Sequence, residues 1–579
     1  MATGVRERVV SRLSEPRPPR KRAPRIFEFT FAAVGLVVGL WFFALSLTPS
    51  LLPRSGYVQG INSGVAFMIG YGIGVAIYTL YRFLGIPYAR GRVRMVLLAV
   101  SLGFIGFTAA GAIWGYVGWQ NEVRLNFGME PLSPWGWPTI IIVAALVAAL
   151  ILIVARSLRT LFRWVDDLLD RWLPRRLAVL VAAIALISVL WWVLSGAFVN
   201  AFFTTSNWIF SGRDAEDKAG VEQPASALKS GSPDSLVEFD TLGRQGRSFV
   251  STGPTADEIA AFSGDDALEP IRAYVGLKSA ETLEERADLL LEELVRTDAF
   301  DREVMVIATT TGTGLIAPEG VDPLEFMWGG DTAIAGVQYS YLPSWISLLA
   351  DQEVVQETSR VVFRTIHDHW STLPEESRPD LYLYGLSLGS YGVEAILSSA
   401  DILNEPIEGA LMVGPPFVNP MHTEIEAARD AGSPSWLPVF SDGRTVRFMN
   451  QDGGLDRGNA AWGPTRVTYL QHGSDPVVFF HPDTALDEPE WLMGERAPDV
   501  VDSMVWYPIV TAWQLVLDLP AAGSIPDGYG HLYTRLENAT AWAHVTEPAD
   551  WDEARTLELT ALLDERAAAR EAALEAATP

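Results

Sequence analysis

The chain has 579 residues, a formal net charge of −27 and no cysteine, which leaves room for several domains and excludes disulfides, thiolate metal sites and a cysteine nucleophile. Charge divides it in two: residues 1–203 carry 20 Lys and Arg against 8 Asp and Glu, whereas residues 204–579 carry 23 against 62. A second part this acidic repels nucleic acid phosphates, so nucleic acid is excluded as a partner.

Residues 1–26 form a basic tail, and residues 27–203 hold five long apolar stretches, at 29–47, 61–81, 95–119, 139–154 and 177–203. Most approach or exceed the ~20 residues that a helix needs to cross ~30 Å of hydrocarbon. None contains Asp, Glu, Lys or Arg, which argues for an anchor and against an ion path. Gly70 with Gly74, and Gly111 with Gly115, have the spacing that lets helices approach closely. Lys and Arg number eight in the tail, then one in 48–60, four in 82–94, one in 120–138 and six in 155–176. By the positive-inside rule the tail is cytoplasmic, and five crossings place everything after Phe203 outside a multi-pass cell-membrane region. A cleaved signal peptide fits the first stretch less well, because its basic and apolar parts are both long and no small-residue cleavage site follows Leu47.

Residues 204–234 are rich in small and polar types and read as a linker or a loosely held loop. Residues 235–550 then alternate strand and helix signals. Residues 236–242 and 247–252 are expected to form an opening hairpin, 282–295 and 354–370 helices, and 304–308, 333–339, 381–384, 410–413 and 466–470 strands. That alternation predicts a mostly parallel sheet. The Ala/Glu/Arg-rich segment 551–579 reads as a surface helix that frays.

Chemistry concentrates at Gly385-Leu386-Ser387-Leu388-Gly389, between the strand 381–384 and a helical run from Ser390. This is a nucleophile elbow: the strand-to-helix turn is so tight that glycine is needed on both sides, and the serine is lifted into the open. A serine nucleophile needs a histidine base, and the base needs a carboxylate to hold its tautomer. Asp475, in Gln471-His472-Gly473-Ser474-Asp475, leaves the strand 466–470 where the acid belongs, and His531 follows in the Gly-rich loop Pro526-Asp527-Gly528-Tyr529-Gly530-His531. His544 is the competing base. His472 stands too close to the acid and reads as support; His367 and His369 are expected to face solvent or a helix end, and His422 and His481 lie in loops. The N–H of Leu388 supplies one oxyanion donor. The second comes from Thr310 to Thr313, with Thr311 and Gly312 preferred; this run lacks the Lys of a phosphate-binding loop.

With these motifs on the page, the chain resembles the bacterial, largely actinobacterial, membrane-anchored α/β-hydrolases that carry an N-terminal multi-helix membrane domain. The resemblance runs from the apolar stretches through Ala308–Gly314, Tyr384–Ser390, Val413-Gly414-Pro415-Pro416-Phe417 and Gly530-His531-Leu532-Tyr533. It implies a helical membrane domain of about five transmembrane helices followed by an α/β-hydrolase domain, with a Ser387–His531–Asp475 triad, no cofactor and no metal. Residues 419–464 are expected to cap the pocket, with Trp436, Phe440, Phe448, Trp491 and Trp506 lining an apolar acyl site. The expected activity is serine hydrolysis of acyl esters or lipids of the cell envelope, the membrane being the second partner. An acyltransferase or peptidase with the same triad, or a non-enzymatic membrane scaffold, is the alternative.

Overall fold

The computed structural model describes residues 32–85, 91–133, 135–169, 188, 198–350, 352–400, 402 and 405–577. The basic tail and most of the fifth apolar stretch lie outside these residues. The described chain begins with four apolar helices, α1 (Ala33–Leu45), α2 (Gly56–Phe83), α3 (Gly91–Asn126) and α4 (Trp137–Leu169). Of these, α2, α3 and α4 are long and apolar enough to cross a membrane.

Glycines set how closely the helices pack. A methyl group on Gly70 would come within 2.7 Å of Phe42, and one on Gly74 within 2.8 Å of Gly35, so α1 and α2 pack backbone to backbone in opposite directions. Gly60 faces Val143 and Gly64 faces Val147, which makes α2 and α4 run side by side in the same direction. The second predicted glycine pair does not act this way. Gly111 has open space beside it, and Gly115 meets only Trp119 of its own helix.

The connection between α1 and α2 meets α3 in one polar cluster. The Arg54 N–H donates to Gln120 Oε1 at 2.8 Å, and Tyr116 OH donates to the Arg54 carbonyl. The Arg54 guanidinium reaches beyond the helices to Asp518, 2.9 Å away, and to the Gln514 carbonyl at the same distance, with both charged side chains about 1% exposed. Leu51, Leu52, Val123 and Phe127 belong to the same apolar core as the strands that follow. The helical region and the second part are therefore packed together rather than joined by a free linker.

Seven strands form that second part: β1 (Ile271–Val275), β2 (Val304–Thr309), β3 (Thr332–Val337), β4 (Asp380–Leu386), β5 (Gly409–Val413), β6 (Val446–Met449) and β7 (Arg466–Leu470). They lie in the order β1-β3-β2-β4-β5-β7-β6, every neighbouring pair parallel. The strands are buried along almost their whole length, as expected of a sheet covered by helices on both faces. Because all strands point the same way, the loops at their carboxyl ends gather along one edge, where ligands bind in open α/β sheets.

Several expectations need correcting. The predicted hairpin is instead a 3-10 turn, Phe239–Thr241, and a helix, Gly243–Thr252. Burial there recurs at 242–243, 246–247 and 249–250, which is helical spacing. The first strand, β1, escaped notice because Arg272 interrupts its apolar run; in the fold that guanidinium is fully buried against Glu325 and Asp322. Residues 204–234 are not loosely held. A helix, Phe198–Asp214, runs into them, and Ser230 Oγ accepts from the Tyr274 N–H and donates to Glu293. The C-terminal helix, Glu553–Ala577, buries Leu559 and Leu563 in the core rather than lying free on the surface. Part of the expected cap is the edge strand β6, and Phe448 on it stacks on Tyr469 at 4.9 Å.

The Arg54–Asp518 pair supplies a test. Burial raises the Asp518 pKa and Arg54 opposes it, so removing one partner leaves an uncompensated buried charge, a loss of about 3–5 kcal/mol. Asp518→Ala should lower the melting temperature of the full chain in detergent. The double change Arg54→Met with Asp518→Leu should recover much of that loss; equal melting of all three proteins would mean that the pair does not join the two regions.

Candidate active site

The backbone at Ser387 carries the first signal. Its φ of +53° and ψ of −126° are rare for a residue with a side chain, and such strain persists only where the surroundings enforce it. The two glycines explain how it is enforced. A Cβ on Gly385 would collide with the backbone of Gly389 and Ser390, and a Cβ on Gly389 would collide with the Thr309 carbonyl at the end of β2. The turn is further held by the Ser387 N–H donating to the Val413 carbonyl at 2.8 Å, and by Ser390, whose N–H and Oγ both donate to the Ser387 carbonyl.

Asp475 follows β7 and is fully buried. Its Oδ2 lies 2.6 Å from His531 Nδ1 and accepts from Tyr533 OH at 2.7 Å, while its Oδ1 accepts from the Val477 N–H at 2.8 Å. Burial by itself would raise the pKa of this carboxyl, but the His531 ring, Tyr533 and Val477 together hold it below the usual carboxylate value. With an ionised acceptor on Nδ1, that nitrogen carries the proton and Nε2 is the free base position.

His531 packs on the chain that leaves β5. A Cβ on Gly414 would come within 2.7 Å of His531 Cε1, and Gly414 has φ +56°, so only glycine suits this position. Ser387 is bonded to Val413, one residue earlier, so Ser387 and His531 flank the same turn. His531 Nε2 is buried without a hydrogen-bond partner among the described residues. Ser387, Gly414 and Asp475 thus follow three adjacent strands, β4, β5 and β7.

The loop carrying His531 is fixed by a second histidine–carboxylate pair. His472 Nδ1 lies 2.9 Å from the Gly530 carbonyl and its Nε2 2.8 Å from Glu537 Oε1, and both partners only accept, so the ring carries both protons as an imidazolium. Burial pulls its pKa down, but Glu537, aided by Asp499 and the Gly530 carbonyl, more than offsets this and leaves it raised. Glu537 is likewise held low by His472 and Thr534 against the effect of burial. The Gly530 N–H in turn donates to Ser474 Oγ at 2.9 Å.

The remaining histidines stand elsewhere. His544 Nδ1 bonds the Thr540 carbonyl in its own helix, and its carbonyl accepts from Arg466 at the start of β7, the opposite end of the sheet from the acid. His367 is buried rather than facing solvent and bonds the Glu405 carbonyl ahead of β5. His369 packs on Phe300. His422 bonds Gln471, and its burial lowers its pKa to about 4. His481 is exposed beside Asp483.

For the oxyanion donors, the Leu388 N–H opens the helix Leu388–Leu397 and has no partner among the described residues. Thr311 is corrected: its N–H donates to the Leu315 carbonyl at 3.0 Å and is occupied. Gly312 donates to Ser344 Oγ over 3.4 Å. The Thr310 N–H has no partner among the described residues, and the Thr310 carbonyl would lie 3.3 Å from a Cβ on Gly389. Among the expected acyl-site aromatics, Trp491 lines a cavity with Phe417 and Phe480. Trp436 and Trp491 are buried with their indole N–H groups on the Glu495 and Phe479 carbonyls, and Trp506 donates to the Thr484 carbonyl. A different apolar cluster surrounds Leu388: Tyr339, Leu348 and Val355, with Tyr391, Phe417 and Val418 packed against it.

Sequence reading missed Tyr533, the His472–Glu537 pair and Glu394. The signal for Glu537 was present as a capping box, Thr534 with Glu537 three residues on. Glu394, buried on the helix after the nucleophile, accepts from Asn419, Met421, His422 and Tyr469. Only its place in the fold reveals it.

Comparison with known proteins agrees with this architecture. Residues 271–559 match the alpha/beta-hydrolase family model, and residues 47–254 match the model of that family's N-terminus. No curated protein and no solved structure matches the chain. The two matches adjoin across the helical region and the parallel sheet, and the chain belongs to the alpha/beta-hydrolase family.

Proposed function

We propose that the protein is a membrane-anchored serine hydrolase that cleaves acyl esters or lipids of the cell envelope. The observation that carries the reading is the strained Ser387 elbow beside the 2.6 Å His531–Asp475 pair. Ser387 Oγ attacks the acyl carbonyl while His531 Nε2 takes its proton. The developing oxyanion is met by the N–H groups of Leu388 and Thr310. His531 then protonates the leaving alcohol, and the acyl group remains on Ser387. Water, deprotonated by His531, attacks this acyl-enzyme and releases the acid. Asp475 stays ionised throughout, holding the Nδ1–H tautomer and stabilising the imidazolium.

Charge around the helices supports an external catalytic domain. The sheet-facing flanks of α1 to α4, residues 48–60 and 120–138, carry Arg54 and Arg124 as their basic residues, both engaged, with Asp518 and with the Glu130 carbonyl. The basic flanks, 82–94 and 155–176, belong to the opposite ends of α2, α3 and α4. The positive-inside rule then assigns the sheet domain to the outer side of the cell membrane.

Three outcomes check this reading. Ser387→Ala should abolish labelling by a fluorophosphonate probe, and Asp475→Asn should lower turnover of a labelled-site ester by about 10⁴; persistent labelling of the alanine variant would remove Ser387 from the mechanism.

The second concerns pH. Because the His472 pKa is raised in the fold, its contribution is complete below the ordinary histidine value of about 6.5 and fades as pH rises through the folded value. Melting temperatures measured from pH 6 to 9 should therefore fall for the wild type and fall much less for Glu537→Gln, which removes the partner charge. Parallel curves would show that the pair is not ionic.

The third is topological. Protease added to intact spheroplasts should digest the chain beyond Phe203 and spare the N-terminal tail, whereas digestion of the sheet domain only after lysis would reverse the assignment.

A further inference from the structure

The carboxyl edge of the sheet is bracketed by the helical region on two sides. On the side of the base, Phe127 at the end of α3 stacks on Tyr529 with ring centres 4.4 Å apart. The Leu52 side chain lies against Gly530, the residue before His531. Asn126 donates to the Pro498 carbonyl, and Ser503 Oγ donates to Glu122. On the side of the oxyanion loop, the helix Phe198–Asp214 continues the fifth apolar stretch of the sequence and ends at Asp214. Asp214 accepts from Gln338 Nε2 at 3.2 Å, and the same amide reaches the Thr313 carbonyl at 3.3 Å.

The turn at Ser387 touches both loops: its N–H bonds Val413, beside the Gly414 on which His531 packs, and Gly389 packs on the Thr309 and Thr310 carbonyls that open the oxyanion loop. The base loop rests on the end of α3 and the oxyanion loop on the end of the helix Phe198–Asp214, so the edge bearing Ser387 is turned towards the helical region. Apolar surface continues the path. The helix Ser344–Ala350 places Leu348 in the cluster around Leu388 and leaves Trp345 about half exposed beside the Gly312 loop. A soluble ester gains nothing from such a placement, whereas a lipid seated in the membrane meets the nucleophile without first leaving it.

We infer that the substrate is a long-chain acyl lipid taken directly from the bilayer that holds the helices. The inference rests on the hydrolase reading above. An acyl chain reaches Ser387 from the helix-facing side and lies along the Tyr339, Leu348 and Phe417 cluster, while the headgroup stays at the membrane surface.

The test uses the full chain reconstituted in phosphatidylcholine vesicles and two fluorophosphonates, one with a long alkyl chain that resides in the bilayer and one short and water-soluble. The long-chain probe is placed either in the protein's own vesicles or in separate vesicles that contain no protein, at equal total concentration. Modification of Ser387 should be at least ten-fold faster from the same vesicle than from separate ones, and faster than with the soluble probe. Equal rates from the two placements, or faster reaction of the soluble probe, would show capture from solution and overturn the inference while leaving the hydrolase reading intact. Absence of modification by either probe would overturn the hydrolase reading and this inference with it.

Discussion

The Gly530 peptide is gripped at both ends by the chain that carries the acid. Its carbonyl accepts from His472 and its N–H donates to Ser474, three residues and one residue before Asp475. The next residue is His531. Two loops 56 residues apart in sequence are thus joined by hydrogen bonds between side chains of one and the backbone of the other, so the imidazole and its carboxylate move as one piece. A side chain on a long Gly-rich loop would otherwise sample many positions, and ordering it would cost about 1–2 kcal/mol per fixed residue. The buried His472–Glu537 pair opposes that cost from beneath, because its imidazolium is itself fixed by a carboxylate that also caps the following helix.

The candidate site could be assembled from the sequence because its chemistry is local. The elbow needs glycine two residues either side of Ser387 for reasons that lie within five residues, and the candidate acid and base, Asp475 and His531, sit on loops whose position follows from strand order. What could not be read depends on distant chain. Whether Thr311 or Thr310 offers its N–H is decided by whether the loop closes on Leu315. The aromatic residues assigned to an acyl wall gave no sign that carbonyls from other segments would hold their indoles in the core. His544 competed with His531 only until the fold placed it at the amino end of β7.

The fold was misread at its polar interruptions for a related reason. Arg272 broke the pattern of β1, yet in the structure it is the centre of a buried cluster with Glu325 and Asp322, stacked on Phe249. A charged residue signals exposure in a sequence, and it can be fully buried only when its partners arrive from elsewhere. The glycines of α2 and α3 make the same point among apolar helices. Both pairs have the same spacing, and only the pair facing α1 mediates close packing among the described residues.

Arg54 and Asp518 are 464 residues apart in the chain, and this separation has a consequence for biogenesis. Asp518 is made about 20–90 s after Arg54 at ~5–20 residues per second. Until then the guanidinium has no carboxylate, and the polar cluster where the α1–α2 connection meets α3 must remain hydrated. The seam between the helices and the sheet domain therefore closes only after Asp518 has been made, and the loop carrying His531, which rests on that seam, acquires its final position no earlier.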